Sequence, residues 1–124
     1  MPNKVEDKAI DFVMKYEQKA GREPRRLPDG KSYDIKSTQR CIEVKGLTCK
    51  DLPSNISIHP TILKKLRGDV SHYYIYIVYD IDIQPKLFIM PSSIIFSHLE
   101  IDPKLILHPK NIKKNNPNLK EINL

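Results

Sequence analysis

The sequence has little cysteine, little glycine and no tryptophan among its 124 residues. Its two cysteines, Cys41 and Cys49, form neither a Cys-x-x-Cys motif nor a disulfide framework, so we expect reduced thiols. Long apolar runs are also absent, since stretches such as 73–79 fall far short of the ~20 residues that a membrane helix needs. No apolar signal region precedes the charged N-terminal residues, so the sequence predicts a cytoplasmic protein without a membrane segment.

Negative charge is the scarcer charge in this chain. It has 15 acidic and 21 basic residues, a net charge of +6 and a pI near 9.3. This balance favours nucleic acid as a partner, although a solvated lysine-rich surface explains it equally well. Only five basic residues are arginines, which favours contact with the phosphate backbone over base recognition. The candidate contact residues are Lys36, Arg40, Lys64, Lys65 and Arg67.

Apolar and polar side chains alternate through residues 32–46, and this pattern predicts a β-hairpin. On the first strand, strict alternation puts Tyr33 and Ile35 on one face. On the returning strand, Glu43 and Lys45 are expected to share the opposite face. Asp34 and Lys36 of the first strand are expected on this polar face too, and the coincidence of Asp34, Glu43 and Lys45 on one face favours a functional site.

The predicted hairpin brings two acids together. A two-residue Thr-Gln turn would pair Ile35 with Ile42 and set Asp34 directly opposite Glu43. Opposed side chains have Cβ atoms about 5 Å apart, where like charges destabilise a sheet unless a cation lies between them. A divalent metal ion bound between the two carboxylates would provide this cation. Because Thr-Gln lacks the Gly or Asn that such turns favour, a register shifted by one residue stays open.

The rest of the sequence predicts a sheet with helices on its faces. Apolar residues at helical spacing predict a helix over 3–20, in which Glu6 and Glu17 lie along a stripe beside the apolar face. Residues 73–79 and 87–90 predict strands, the first of them buried and central. Shorter elements are expected at 22–27, 55–59, 60–66 and 91–98. The element order predicts an α/β or α+β fold.

The chain resembles the PD-(D/E)xK nuclease superfamily, which has the restriction-endonuclease-like fold, a central mixed β-sheet flanked by helices. More narrowly, it is similar to the domain at the C-terminus of the plant NO VEIN protein. The residues that carry the likeness include Glu6, Glu17, Gly21, Arg22, Pro24, Asp34 and the run Glu43-Val44-Lys45-Gly46. Tyr33 replaces the superfamily's proline, as is usual in this branch. The likeness covers about residues 5–91 of a single domain, 1–124, and leaves 92–124 as a C-terminal extension.

The resemblance implies a metal-dependent nuclease that acts on DNA, in defence or repair. The implied ligands of Mg²⁺ or Mn²⁺ are Asp34, Glu43 and the backbone carbonyl of Val44. Lys45 is implied to orient or help deprotonate the attacking water, while the metal acts as a Lewis acid. Glu6 is implied to be the helix acid that completes the cluster, with Glu17 as its alternate.

Two functions of other classes stay open. Glu43 and Lys45 also fit an exposed ion pair worth about 0–1 kcal/mol, so the fold could serve as a non-catalytic module that binds nucleic acid or protein. Alternatively, the chain is a small subunit whose region after Leu99 docks on a partner. A homodimer is equally compatible with the sequence.

Overall fold

The computed structural model describes residues 4–28, 33–58, 72–100 and 106–124. The helices are α1 (Lys4–Lys19), α2 (Ser92–His98) and α3 (Pro109–Asn115). The strands are β1 (Arg25–Arg26), β2 (Ile35–Ser37), β3 (Arg40–Gly46), β4 (Ile56–Ser57), β5 (Tyr73–Tyr79), β6 (Lys86–Pro91), β7 (Ile106–Leu107) and β8 (Glu121–Asn123). The helix predicted at 60–66, with Lys64, Lys65 and Arg67, lies outside the described residues.

Six of these strands form one mixed sheet in the order β1-β2-β3-β5-β6-β8. The β3–β5 pair is parallel and its neighbours are antiparallel. A separate two-stranded sheet joins β4 to β7. Helices flank the central sheet, so the predicted fold class is confirmed.

The central sheet separates two hydrophobic cores. On one side, which we call the α1 face, helix α1 buries Ala9, Ile10 and Val13 against Ile42 and Val44 of β3. We call the opposite side the far face. Its buried residues include Cys41, Leu52, Tyr73, Ile75, Ile77, Ile95, Leu107 and Ile112. Strand β5 contributes to both cores, which explains its nearly continuous apolar sequence.

The described part of the C-terminal region belongs to this same folded unit. Leu107 and Ile112 are fully buried in the far-face core, and β8 pairs with β6 at the sheet edge. These two side chains therefore belong to the core of this domain and are not available to a partner. None of the described helices is long and apolar enough to cross a bilayer.

Candidate active site

The β2–β3 hairpin has the register predicted from its sequence. Ile35 pairs with Ile42 and Ser37 with Arg40, so the turn has two residues. Gln39, the second residue of the turn, has a positive φ of 57°. The alternation of β3 then puts Ile42 and Val44 on the α1 face and Glu43 and Lys45 on the far face.

The first strand departs from the predicted alternation at Asp34. Its ladder with β3 ends at Ile35, and the Asp34 N–H donates to the Ile42 carbonyl at 2.9 Å. Because the backbone is irregular there, Tyr33 packs in the far-face core while Ile35 packs in the α1-face core. The prediction that these two side chains share a face is wrong. Asp34 is likewise not a ladder partner of Glu43.

Beyond the last paired residue of β2, the Asp34 side chain, rather than a backbone carbonyl, accepts the next hydrogen bond from β3. Its Oδ2 accepts a hydrogen bond from the Val44 N–H at 2.8 Å. This contact fixes the carboxylate beside the backbone of the residue that separates Glu43 from Lys45. Asp34 and Glu43 are thus brought together through the edge of β3 rather than as a cross-strand pair.

The Val44 carbonyl points to the side of β3 on which Asp34 lies. The N–H groups of Cys41 and Leu47 donate toward the β5 side, to His72 at 2.7 Å and Val78 at 2.8 Å. Odd-numbered residues of β3 therefore face β5, and Val44 faces away from it. Since the N–H and C=O of one strand residue point to the same side, the Val44 carbonyl faces the Asp34 side, beyond the last paired residue of β2.

Tyr73 is a member of this site that the sequence did not reveal. Its side chain is 3% exposed, and its hydroxyl is hydrogen-bonded to the Glu43 carboxylate. Burial raises the pKa of Tyr73 well above its ordinary value, and the charges of Glu43 and Asp34 raise it further. Both carboxylates therefore lie within electrostatic reach of one phenol. The parallel pairing of Cys41 with Tyr73 sets this position, and no local pattern encodes that pairing.

Glu6 lies in the first turns of α1, which approach the end of β3 closely. A Cβ placed on Gly46 would lie only 2.9 Å from the Val5 carbonyl oxygen and 2.8 Å from the Ala9 Cβ. This close approach sets the exposed Glu6 near the strand that carries Lys45. Within the described ranges, however, no group of three His, Cys, Asp or Glu side chains is arranged to hold a metal. The predicted three-acid cluster is therefore not formed in this structure.

Glu17 is fully buried on the α1 face and is bound by other groups. Arg22 donates to its two carboxylate oxygens at 2.6 and 2.7 Å, and the Tyr76 hydroxyl donates at 2.8 Å. Burial raises the pKa of Glu17, but the hydrogen bonds from Arg22 and Tyr76 outweigh it and leave the pKa below its ordinary value. Glu17 is thus held as an anion by Arg22 and Tyr76, and the structure does not bring it to Asp34 and Glu43.

The two described candidates for nucleic-acid contact lie on different faces. Arg40 donates to the Tyr76 hydroxyl at 2.6 Å and lies 4.3 Å above the Tyr74 ring, so the structure does not bring it to the acids. Lys36 lies on the far face, where its Nζ is 3.5 Å from the Cys41 Sγ. Of the two, only Lys36 shares a face with Glu43.

Comparison with solved structures identifies the fold of the domain. The chain matches the 1.6 Å structure of Hjc, a Holliday junction resolvase from the archaeal hyperthermophile Archaeoglobus fulgidus, with a TM-score of 0.64. The match covers 94% of this chain and 91% of that one at 19% sequence identity, so it establishes the fold alone. The fold is that of the restriction-endonuclease-like nucleases.

Comparison with protein-family models assigns the chain to a specific family within this fold. The family model "Protein NO VEIN, C-terminal" matches residues 5–90, more than half of the chain. The protein belongs to this family, which confirms the resemblance seen in the sequence. No curated protein matches the chain.

Proposed function

We propose that the protein is a metal-dependent nuclease that hydrolyses phosphodiester bonds of DNA. The observation that carries the proposal is the hydrogen bond from the Val44 N–H to Asp34, at 2.8 Å. It joins Asp34 to the strand that carries Glu43 and Lys45. The match to a structure of Hjc, itself a Holliday junction resolvase, supports nucleic acid as the substrate.

The oxygen groups at this site fit a hard divalent cation. Asp34 and Glu43 supply two carboxylates, and the Val44 carbonyl faces the same side of β3. Mg²⁺ is commonly held by one or two carboxylates together with water and substrate phosphate oxygens, so a third acid is not required. When bound there, Mg²⁺ or Mn²⁺ would act as a Lewis acid and lower the pKa of a coordinated water.

The remaining residues of the site have defined tasks in this proposal. Lys45 lies half-buried on the far face, two residues from Glu43, where its ammonium group can orient the attacking water and offset charge at phosphorus. Tyr73 holds Glu43 through its hydroxyl, which fixes the carboxylate orientation. In this proposal Glu6, which is exposed at the start of α1, would assist as the helix acid.

The test is a nicking assay on supercoiled plasmid and on a four-way DNA junction, with Mg²⁺ or Mn²⁺. We expect Asp34→Asn, Glu43→Gln and Lys45→Met each to abolish cleavage without loss of the fold. Asp11→Asn is the matched control, since this acid is exposed on α1, and it should retain full activity. Full activity in both Asp34→Asn and Lys45→Met would refute the mechanism.

A non-catalytic nucleic-acid-binding module is the second candidate. It is favoured by the finding that, among the described residues, no group of three or more His, Cys, Asp or Glu side chains is arranged to hold a metal ion. The two candidates differ in metal uptake, which calorimetry with Mn²⁺ measures directly. A wild-type protein that binds DNA but takes up no Mn²⁺ would favour the module. Light scattering with and without the junction would test whether two copies act together.

A further inference from the structure

Two cations oppose each other at the β1 edge of the sheet. Arg25 of β1 pairs directly with Lys36 of β2 in an antiparallel ladder. Side chains so placed have Cβ atoms about 5 Å apart, and like charges there destabilise a sheet. In the described ranges, neither side chain has an ion pair with a carboxylate. An anion between them would remove the repulsion.

Both cations lie on the far face. The neighbouring pair of the ladder joins Arg26 to Ile35, which packs in the α1-face core. Consistent with that side, Arg26 donates to Asp7 of α1 at 2.6 Å. Alternation along β1 and β2 then places Arg25 and Lys36 on the opposite face. The contact of Lys36 with Cys41 agrees with this placement.

The two cations line a surface notch with a volume of about 420 Å³. Its other lining residues are Glu23, Pro24, Ser37 and Thr38. The Thr38 hydroxyl accepts a hydrogen bond from the Glu23 N–H at 2.9 Å, which leaves its own proton available to an anion. The Glu23 carboxylate opposes anion binding, but the two cations leave the notch with net positive charge.

We propose that Arg25, Lys36 and Thr38 form a phosphate-binding subsite for the nucleic-acid strand that reaches Asp34 and Glu43. The inference rests on the proposed nuclease function. Lys36 lies two residues from Asp34, which corresponds to about 7 Å along an extended strand. The subsite would therefore hold a backbone phosphate near the cleaved bond.

The test measures binding rather than cleavage. Fluorescence anisotropy of labelled duplex DNA in metal-free buffer, over a range of salt concentrations, would compare wild type with Arg25→Gln/Lys36→Gln. Because each lost phosphate contact lowers the slope of log affinity against log salt by about 0.9, and the two cations hold one phosphate, we expect the slope to fall by about 0.9. Lys15→Gln/Lys19→Gln is the matched control, since it removes the same charge from exposed positions of α1. It should change the slope little.

Two single variants are expected to change DNA affinity in opposite directions. Arg25→Gln should weaken DNA binding, yet in the absence of DNA and at low salt it should raise the thermal midpoint, because it relieves the repulsion with Lys36. Glu23→Gln should tighten binding, because it removes the opposing carboxylate from the notch.

The outcomes separate this inference from the proposed function. Equal loss in the Arg25/Lys36 and Lys15/Lys19 double variants would overturn the subsite and leave the nuclease proposal standing. A selective loss in a protein that never cleaves DNA would support the subsite and refute the nuclease. Absence of any DNA binding by the wild type would overturn both.

Discussion

Replacing Gly46 with alanine tests the contact that places α1 against the candidate active site. The added Cβ would lie 2.8 Å from the Ala9 Cβ and 2.9 Å from the Val5 carbonyl oxygen. Favourable carbon–carbon contacts need about 3.5–4.0 Å, so several tenths of an ångström must be gained. The Val5 oxygen belongs to the helix backbone and cannot rotate away, so the start of α1 must move as a unit.

We expect Gly46→Ala to lower the free energy of unfolding by about 2 kcal/mol, within the usual cost of overpacking a core. Urea unfolding with an unchanged m-value would measure it. Gly21→Ala is the matched control, because a Cβ there meets no atom within 4 Å. Its φ of +84° still gives that substitution a backbone cost of about 1 kcal/mol, which arises without any displacement of α1.

The two glycine variants should differ most in function. In Gly46→Ala, a shift of α1 and the end of β3 moves Lys45 and Glu6, and a displacement near 1 Å at a catalytic group costs about 100-fold in rate. Gly21→Ala should cleave at the wild-type rate. A Gly46→Ala protein with unchanged stability and activity would refute the role assigned to this helix contact.

Three further predictions concern buried polar groups. Glu17→Gln should lower the free energy of unfolding by about 3 kcal/mol, because it leaves the Arg22 guanidinium without its carboxylate. Glu17→Met/Arg22→Met should lower it less, and urea unfolding of the two variants measures the difference. Since the pKa of Glu17 is lowered in the folded state, its contribution to stability is complete above its ordinary pKa and is lost as the pH falls through the lowered value. Acid unfolding of the wild type should therefore show a component that Glu17→Met/Arg22→Met lacks. Tyr73→Phe should weaken Mn²⁺ binding about 10-fold by calorimetry, while Tyr79→Phe, whose hydroxyl bonds to Glu121, should leave it unchanged.

The parts of the site that were predictable from sequence are those set by short-range geometry. The pairing of Ile35 with Ile42 follows from alternation and a two-residue turn, and the structure confirms it although Gln39 must adopt positive φ. The same alternation places Glu43 and Lys45 on one face. These relations depend on residues close in the chain, so local patterns suffice to predict them.

The errors arose where side chains replace backbone interactions or join distant elements. The Asp34 carboxylate bonds to the Val44 N–H, and strict alternation fails at Tyr33 because periodicity takes no account of such a bond. The hydrogen bond between Tyr76 and Glu17 could not be predicted, because the two residues lie 59 positions apart in the chain. The role of Tyr73 depends on parallel pairing between β3 and β5, which the sequence pattern does not specify.

The central claim is that Asp34 and Glu43 share a divalent metal ion. A crystal soaked in Mn²⁺ and measured at a wavelength where manganese scatters anomalously tests it most directly. We predict one anomalous peak about 2 Å from a carboxylate oxygen of each acid and from the Val44 carbonyl oxygen. A crystal with no peak there, or with manganese bound only at other acids, would contradict the account.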